Sequence, residues 1–237
     1  MFMGITTILF DLDGTLLPMD QVNFVNTYLG LLAKKLAPFG YDPKTLVDAV
    51  WQGTKAMMKN DGTRTNADAF WDTFCGLMGS DCRKDEPLFQ EFYENEFSQV
   101  SQVCGRDPRA AAVIALLKSK GLRTALATNP LFPKIATQQR ITWAGLSPDD
   151  FELYTTYEDH CWCKPNAGYY QAVLDRLGVK AEECVMVGND VGEDMAAAKL
   201  GMQVFLLTDC MLNPKGLDTS RYPQGNFDDL LAFIEHL

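Results

Sequence analysis

The second half of the chain alternates between two kinds of segment, and this limits the folds open to it more than any other feature. From Cys104 onward, short runs rich in Val, Leu, Ala and Phe take turns with stretches whose apolar residues recur at helical spacing. "DPRAAAVIALLKSKG" predicts a helix with Asp107 as N-cap, Pro108 at its first position and Gly121 past its end. "LRTALAT" predicts a strand, "FPKIATQQRITWAG" a helix, "FELYTT" a strand and "PNAGYYQAVLDRLG" a helix. "ECVMVGN", "GEDMAAAKLG", "QVFLLTD" and "NFDDLLAFIEHL" follow as strand, helix, strand and closing helix. Strands separated by helices build parallel βαβ units with right-handed crossovers.

The N-terminal run "GITTILF" reads as one more strand, with no partner nearby, so it must join the same sheet. Between them, from about Gln21 to Val103, the text is helical and lacks a convincing strand. "VNFVNTYLGLLAKKLAPFG", "KTLVDAVWQGTKAMMKN", "NADAFWDTFCGLM" and "EPLFQEFYENEF" are set apart by Gly, Pro, Asn and Asp breaks. The expected fold class is therefore α/β: a Rossmann-like parallel sheet core with an inserted all-helical domain. The core should take residues 1–15 and 105–237, the insertion 16–104. With 237 residues, 47% hydrophobic and 22% charged, the chain has ample material for both.

A net charge of -10 argues against broad non-specific nucleic-acid binding, which needs a basic footprint. An anionic substrate is still allowed, because a metal can invert the local charge. No apolar run approaches the roughly 18 residues of a membrane span, and "MFMGITTILFDLDG" has no basic leader region, so neither membrane nor secretory leader is expected. Seven scattered cysteines fit a reducing, cytoplasmic setting. Cys161 and Cys163 stand at C-x-C spacing without a second pair, which is not zinc-ligand spacing.

In an open parallel sheet, ligands bind outside the carboxyl ends of the strands. Asp11 and Asp13 follow the first strand, in "ILFDLDGTLLP"; an extended chain would project both to one side, with Leu12 opposite. Thr128 and Asn129 follow the next strand, and Lys164-Pro165 follows the third. Asn189, Asp190, Glu193 and Asp194 follow the fourth, in "VGNDVGED". Each has an ordinary reading: a solvated turn, a helix cap, a surface lysine, acids favouring a helix start. Their joint arrival at strand ends of one sheet is what points to chemistry. Clustered carboxylates repel unless a cation joins them, and hard oxygen donors favour Mg²⁺. A carboxylate facing a metal and a lysine can attack phosphorus, while a second moves the proton.

These motifs resemble the haloacid dehalogenase-like hydrolase superfamily: "FDLDGTLL" its first, "ALATN" its second, "KP" its third and "VGNDVGED" its fourth. The resemblance covers about 1–15 and 105–237, and the helical insertion is similar to that family's cap. It implies a Mg²⁺-dependent phosphatase acting on a small phosphorylated metabolite through an aspartyl-phosphate. Asp11 would be nucleophile, Asp13 general acid and base, Thr128 and Asn129 the substrate- and phosphate-binding residues, and Lys164 the charge-stabilising lysine. Mg²⁺ would be held by the Asp11 carboxylate, the Asp13 backbone carbonyl and an acid of the fourth motif, with Asp194 ordering its waters. Many members have Gly-Asp where this chain has Gly188-Asn189. Either the Asn189 amide oxygen or the Asp190 carboxylate is then the direct ligand, and Asp190 offsets the metal charge better. In the insertion, Phe24, Tyr28, Trp51, Phe70 and Trp71 are expected in its core. Lys55, Lys59 and Arg64 are candidates for a substrate's distal charge. The competing readings are a phosphomutase of the same superfamily, a metal-independent dehalogenase and a non-catalytic binding protein.

Overall fold

The first predicted strand forms β1 (Thr7–Phe10), buried along its whole length, as a short β-branched run in the middle of a parallel sheet should be. The computed structural model describes residues 4–79 and 81–237; residues 1–3 and 80, within the expected core and insertion ranges, lie outside the described residues. After β1 come four helices: α1 (Gln21–Leu36), α2 (Pro43–Met58), α3 (Asn66–Met78) and α4 (Glu86–Asn95). Three of them start where the sequence offers a cap. The Asp20 carboxylate accepts from the Asn23 N–H at 2.7 Å, Asp42 from Thr45 at 2.9 Å and the Thr65 hydroxyl from Asp68 at 3.1 Å.

The remainder runs α5 (Pro108–Ser119), β2 (Arg123–Leu126), α6 (Lys134–Trp143), α7 (Ala167–Leu177), β3 (Cys184–Gly188), β4 (Gln203–Leu207), β5 (Gln224–Gly225) and α8 (Phe227–Glu235). Asp107 caps α5 as expected, accepting from the Arg109 N–H at 2.9 Å. The sheet order is β2-β1-β3-β4-β5, all parallel. Side chains alternate across it. Ile8 and Phe10 join Val185, Val187 and Phe205 against α5 and α8; Leu9 joins Ala125, Met186 and Leu206 against Tyr169, Tyr170 and Val173 of α7. The first of these clusters continues into the helical segment. Tyr28 and Phe97 meet Phe132 at ring-centroid distances of 5.4 and 6.2 Å, and Phe97 meets Trp143 at 5.1 Å.

Four details differ from the sequence reading. "FELYTT" lies along the β2 edge, but only Tyr154 pairs, in an isolated bridge to Leu126. Its backbone bonds to β2 end with the Thr155 N–H on the Leu126 carbonyl at 3.1 Å, and beyond it the Tyr157 N–H goes to Phe132 instead. "GEDMAAAKLG" forms a tight 3-10 turn over Asp194–Leu200 instead of an α-helix. The two-residue β5 is too short to leave a periodic signal. Finally, Cys75 and Cys82 are disulfide-bonded, with Cα atoms 5.4 Å apart, where thiols were expected throughout. The chain bends back through Gly79 to bring them together, a turn that their spacing did not announce. No helix among the described residues is long and apolar enough to cross a membrane.

Candidate active site at the strand ends

Register places the site. Phe10 pairs with Leu126 on one side and with Val187 on the other, so the chain leaves all three strands at one level. The Asp11 N–H donates to the Val187 carbonyl at 2.9 Å, and the Ala127 N–H to the Phe10 carbonyl at 2.7 Å. Because β2 and β3 lie on opposite sides of β1, this is the point where the strand order reverses and a crevice opens. A pocket of ≈ 180 Å³ occupies it, lined by Asp11, Asp13, Thr128, Asn129, Asn189, Asp190, Glu193 and Asp194 among others. Every expected site residue but Lys164 lines this pocket, and Lys164 lies directly beneath it.

Asp11 and Asp13 do face one way, with Leu12 buried behind them. The chain closes tightly after them: the Gly14 N–H donates to the Leu17 carbonyl at 2.8 Å, and the Leu17 N–H to the Leu12 carbonyl at 2.9 Å. Gly14 holds φ +85°, and a Cβ there would run into the Asn189 amide. The first and fourth motif loops meet at this glycine.

Lys164 is no surface lysine. Its side chain is fully buried, with Nζ 2.9 Å from Asp11 Oδ1 and 2.6 Å from Asp194 Oδ1. Burial works against the ammonium, but Asp11 and Asp194 outweigh it and hold its pKa well above the usual value. Asn129 does not cap α6, which has no side-chain cap. Instead its Oδ1 accepts from the Lys164 N–H at 3.2 Å and its Nδ2 donates to Glu193 Oε2 at 2.9 Å, tying the chain after β2 and after β3 to the Lys164 loop. Thr128 is buried, its carbonyl accepting from the Thr155 and Tyr169 hydroxyls at 2.5 and 2.9 Å.

Asn189 has both ends of its amide engaged. Oδ1 accepts from the Thr15 hydroxyl at 2.9 Å, and Nδ2 donates to the Cys210 carbonyl at 2.7 Å. Asp190 accepts through Oδ1 from the Gly192 and Glu193 N–H groups, at 2.7 and 2.8 Å.

One residue escaped the sequence reading, and another was named there without a role. Arg140 of α6 is fully buried and pairs through Nη1 with Asp13 Oδ2, while Asp13 Oδ1 is buried without a hydrogen-bond partner. The available signal was its place on the apolar face of α6, among buried Ala136, Thr137 and Ile141. Glu193 is more than a helix-start acid. Burial pushes its carboxyl up to about 7 against the pull of Lys164, with Asp194, Asp190 and Asp11 adding to the rise. Burial likewise raises Asp194 against Lys164, and raises Asp13 against Arg140. Lys55 and Lys59 are exposed and line neither this pocket nor the apolar cavity beside it, and Arg64 pairs with Asp72 at 2.7 Å. Offered as candidates for a distal charge, none of the three lines either pocket. Of the insertion's aromatics, Phe24, Tyr28, Phe70 and Trp71 are buried as expected, but Trp51 is 43% exposed.

The fit to a metal follows from this charge balance. Five carboxylates, Asp11, Asp13, Asp190, Glu193 and Asp194, gather around two buried cations, Lys164 and Arg140, so acidic oxygens outnumber the protein's own counter-charges. Among the described residues no three acidic, His or Cys side chains converge into a metal cage. Mg²⁺ does not need one, since it keeps several waters and uses one or two carboxylates. The hard-oxygen donors here fit that ion.

Fold and site thus define a class: a Rossmann-like α/β protein whose polar centre lies at the switch point of a parallel sheet, with a helical segment inserted after its first strand. The family model for haloacid dehalogenase-like hydrolases matches residues 5–201, and the chain belongs to that family of hydrolases. It is 31% identical over 150 residues to a phosphoglycolate phosphatase of Yersinia pestis, a stretch that covers 62% of each chain. It is 24% identical over 208 residues to a ribulose-1,5-bisphosphate 5-phosphatase of Halopiger xanaduensis, covering 85% of this chain and 84% of that one. In fold it is similar to the HAD phosphatase from Thermococcus onnurineus, with TM-score 0.59 and 20% identity over 97% of this chain and 98% of that one.

Proposed function

We propose that this chain is a Mg²⁺-dependent phosphatase, hydrolysing a small phosphomonoester through an aspartyl-phosphate on Asp11. The observation that carries the reading is the buried Lys164 ammonium, shared between Asp11 and Asp194 at 2.9 and 2.6 Å. It fixes one Asp11 oxygen at the floor of a pocket whose wall holds Thr128 and Asn129. Asp11 forms a bond to phosphorus as the bond to the substrate's alcohol oxygen breaks. Asp13, raised by burial against the pull of Arg140, gives its proton to that leaving oxygen. It then takes a proton from the water that attacks phosphorus, which releases phosphate and restores Asp11. Lys164, with the Thr128 hydroxyl and loop N–H groups, offsets the charge on the transferring group.

Mg²⁺, when bound, supplies further charge neutralisation of the phosphoryl oxygens. Asp11 and the Asp13 backbone carbonyl would hold it, with Asp190 as the direct partner and Asp194 acting on its waters. Asp190 is favoured because the Asn189 amide is bonded at both ends, whereas Asp190 has only Oδ1 committed to N–H groups. Residues 16–104 form the cap in this proposal and 1–15 with 105–237 the core. A cytoplasmic setting belongs to it too, supported by five unpaired thiols and opposed by the Cys75–Cys82 bond.

The relatives named as phosphatases support phosphoryl chemistry, and the presence of Asp13 weighs against the dehalogenase reading. The test is phosphate release from a panel of phosphomonoesters with and without Mg²⁺. Asp11→Asn should fold and lose activity to background. Full turnover in that variant, or in chelator, would sink the proposal. Metal-independent halide release would mark a dehalogenase, and transfer to a sugar instead of water a mutase.

A further inference from the structure

A second cavity, of ≈ 220 Å³, lies beside the acidic pocket, and Val25, Leu131 and Phe132 line both. Its other walls come mainly from the inserted helices, with Tyr28, Trp51, Phe70, Trp71 and Phe89 contributing rings. Tyr28, Phe70, Trp71 and Phe89 are buried, and Trp71 meets Phe70 and Phe89 edge to face with centroids 5.5 and 5.1 Å apart, so the walls are braced. An apolar cavity of about 150 Å³ is enough to take up benzene; this one is larger.

Its charge is as informative as its shape. Among the described residues, no Lys, Arg or His lines either the cavity or the acidic pocket. The charged groups at the cavity wall are Glu86 and Glu158. A carboxylate or second phosphate on the substrate's far end would meet two glutamates and no lining cation, the nearest partner of Glu86, Arg83, standing 3.6 Å from it outside the wall, whereas an apolar body would leave water for a ring-lined surface. The relatives act, by name, on phosphoglycolate and ribulose bisphosphate, whose distal groups are anionic.

Resting on the phosphatase reading above, we propose that the substrate is a phosphomonoester whose alcohol carries an uncharged, apolar body the size of a ring or branched chain, seated in this cavity. Phe132 connects the two sites. It lines both, and the Arg140 guanidinium that holds Asp13 stands 4.3 Å over its ring.

The test compares kcat/KM, with Mg²⁺, for benzyl phosphate, ethyl phosphate and 2-phosphoglycolate, three esters of primary alcohols. Benzyl phosphate should exceed ethyl phosphate by about tenfold or more, the scale on which hydrophobic pockets discriminate, and 2-phosphoglycolate should fall below both. Ala67 lines the cavity, and Ala67→Phe should bring the benzyl-to-ethyl ratio toward one. Thr54→Lys, which places a cation at the wall, should raise kcat/KM for 2-phosphoglycolate relative to benzyl phosphate. Equal turnover of benzyl and ethyl phosphate, or preference for 2-phosphoglycolate, overturns the inference and leaves the phosphatase reading standing. If no ester is hydrolysed the phosphatase reading falls, and binding alone then decides the cavity. Benzylphosphonate should perturb the Trp51 and Trp71 fluorescence with a Kd about tenfold below that of ethylphosphonate, and equal Kd values overturn the inference.

Discussion

Removing the Arg140 charge should reveal how much of the site's architecture one buried ion pair holds up. Arg140 is 0% exposed and pairs with Asp13, whose side chain is 20% exposed. Arg140→Met keeps an apolar stem against Phe132 but leaves Asp13 facing Asp11 without its nearest cation. Breaking a buried pair by removing one partner costs about 3–5 kcal/mol. Two features lower that here: the partial exposure of Asp13, and its freedom to take a proton at about 1.4 kcal/mol per pH unit above its pKa. A loss of about 2–4 kcal/mol near pH 7.5 is expected, a large share of the roughly 5–15 kcal/mol typical of a folded domain. The sign with pH is fixed. A carboxyl raised in the folded state binds more protons folded than unfolded, so stability falls as pH rises from its unfolded value through its folded one. The variant should therefore be less impaired at pH 5 than at pH 8. Adding Asp13→Asn should recover at least about 1.5 kcal/mol, since an amide needs no counter-charge. Urea unfolding in chelator, followed by circular dichroism, reads all three. A loss below 1 kcal/mol, no pH dependence, or a double variant no better than the single one would refute the reasoning.

Lys164→Met removes the ammonium shared by Asp11 and Asp194 and should lower kcat by about 100-fold or more, with a lower thermal midpoint; retained turnover in a kinetic assay counts against its role. Gly14→Ala puts a methyl against the Asn189 amide at φ +85°, so about 1–3 kcal/mol of stability should be lost along with activity, as denaturation and phosphate release would report. Glu193, raised to about 7 from 4.5 mainly by burial, contributes stability that is complete below 4.5 and fades as pH climbs through 7. Scanning calorimetry should show that fade in the metal-free protein, flattened in Glu193→Gln. Mg²⁺ should raise the midpoint more at pH 8 than at pH 6, because it binds the ionised acids; equal shifts would argue against a cation at this cluster.

Much of this was legible in the sequence. The alternation after Cys104 specified parallel βαβ units because side-chain period and chain direction are local properties. The four clusters of polar residues stood out because carboxylates and amides at the ends of buried strands have no ordinary reason to coincide. Asp107 announced its helix through capping chemistry, which spans only three residues, and the structure adds Asp20 and Asp42 as caps of the same kind. Arg140 could not be read in this way, since a buried arginine looks like any other until its partner 127 residues away is placed beside it. Asn129 read as a cap, and only the meeting of β2, β3 and the Lys164 loop made it a strut between them.

The sequence by itself determined the class of fold, the family and the chemistry available at the strand ends, because these depend on residue type and local spacing. Tertiary structure decided which charges are compensated, that Lys164 is shared between Asp11 and Asp194, and that Asn189 is engaged at both ends. It also decided that the inserted helices enclose an apolar cavity with no cation in its walls among the described residues, where Lys55, Lys59 and Arg64 had offered one. Burial and pairwise distance are properties of packing between segments far apart in the chain. No local pattern encodes them.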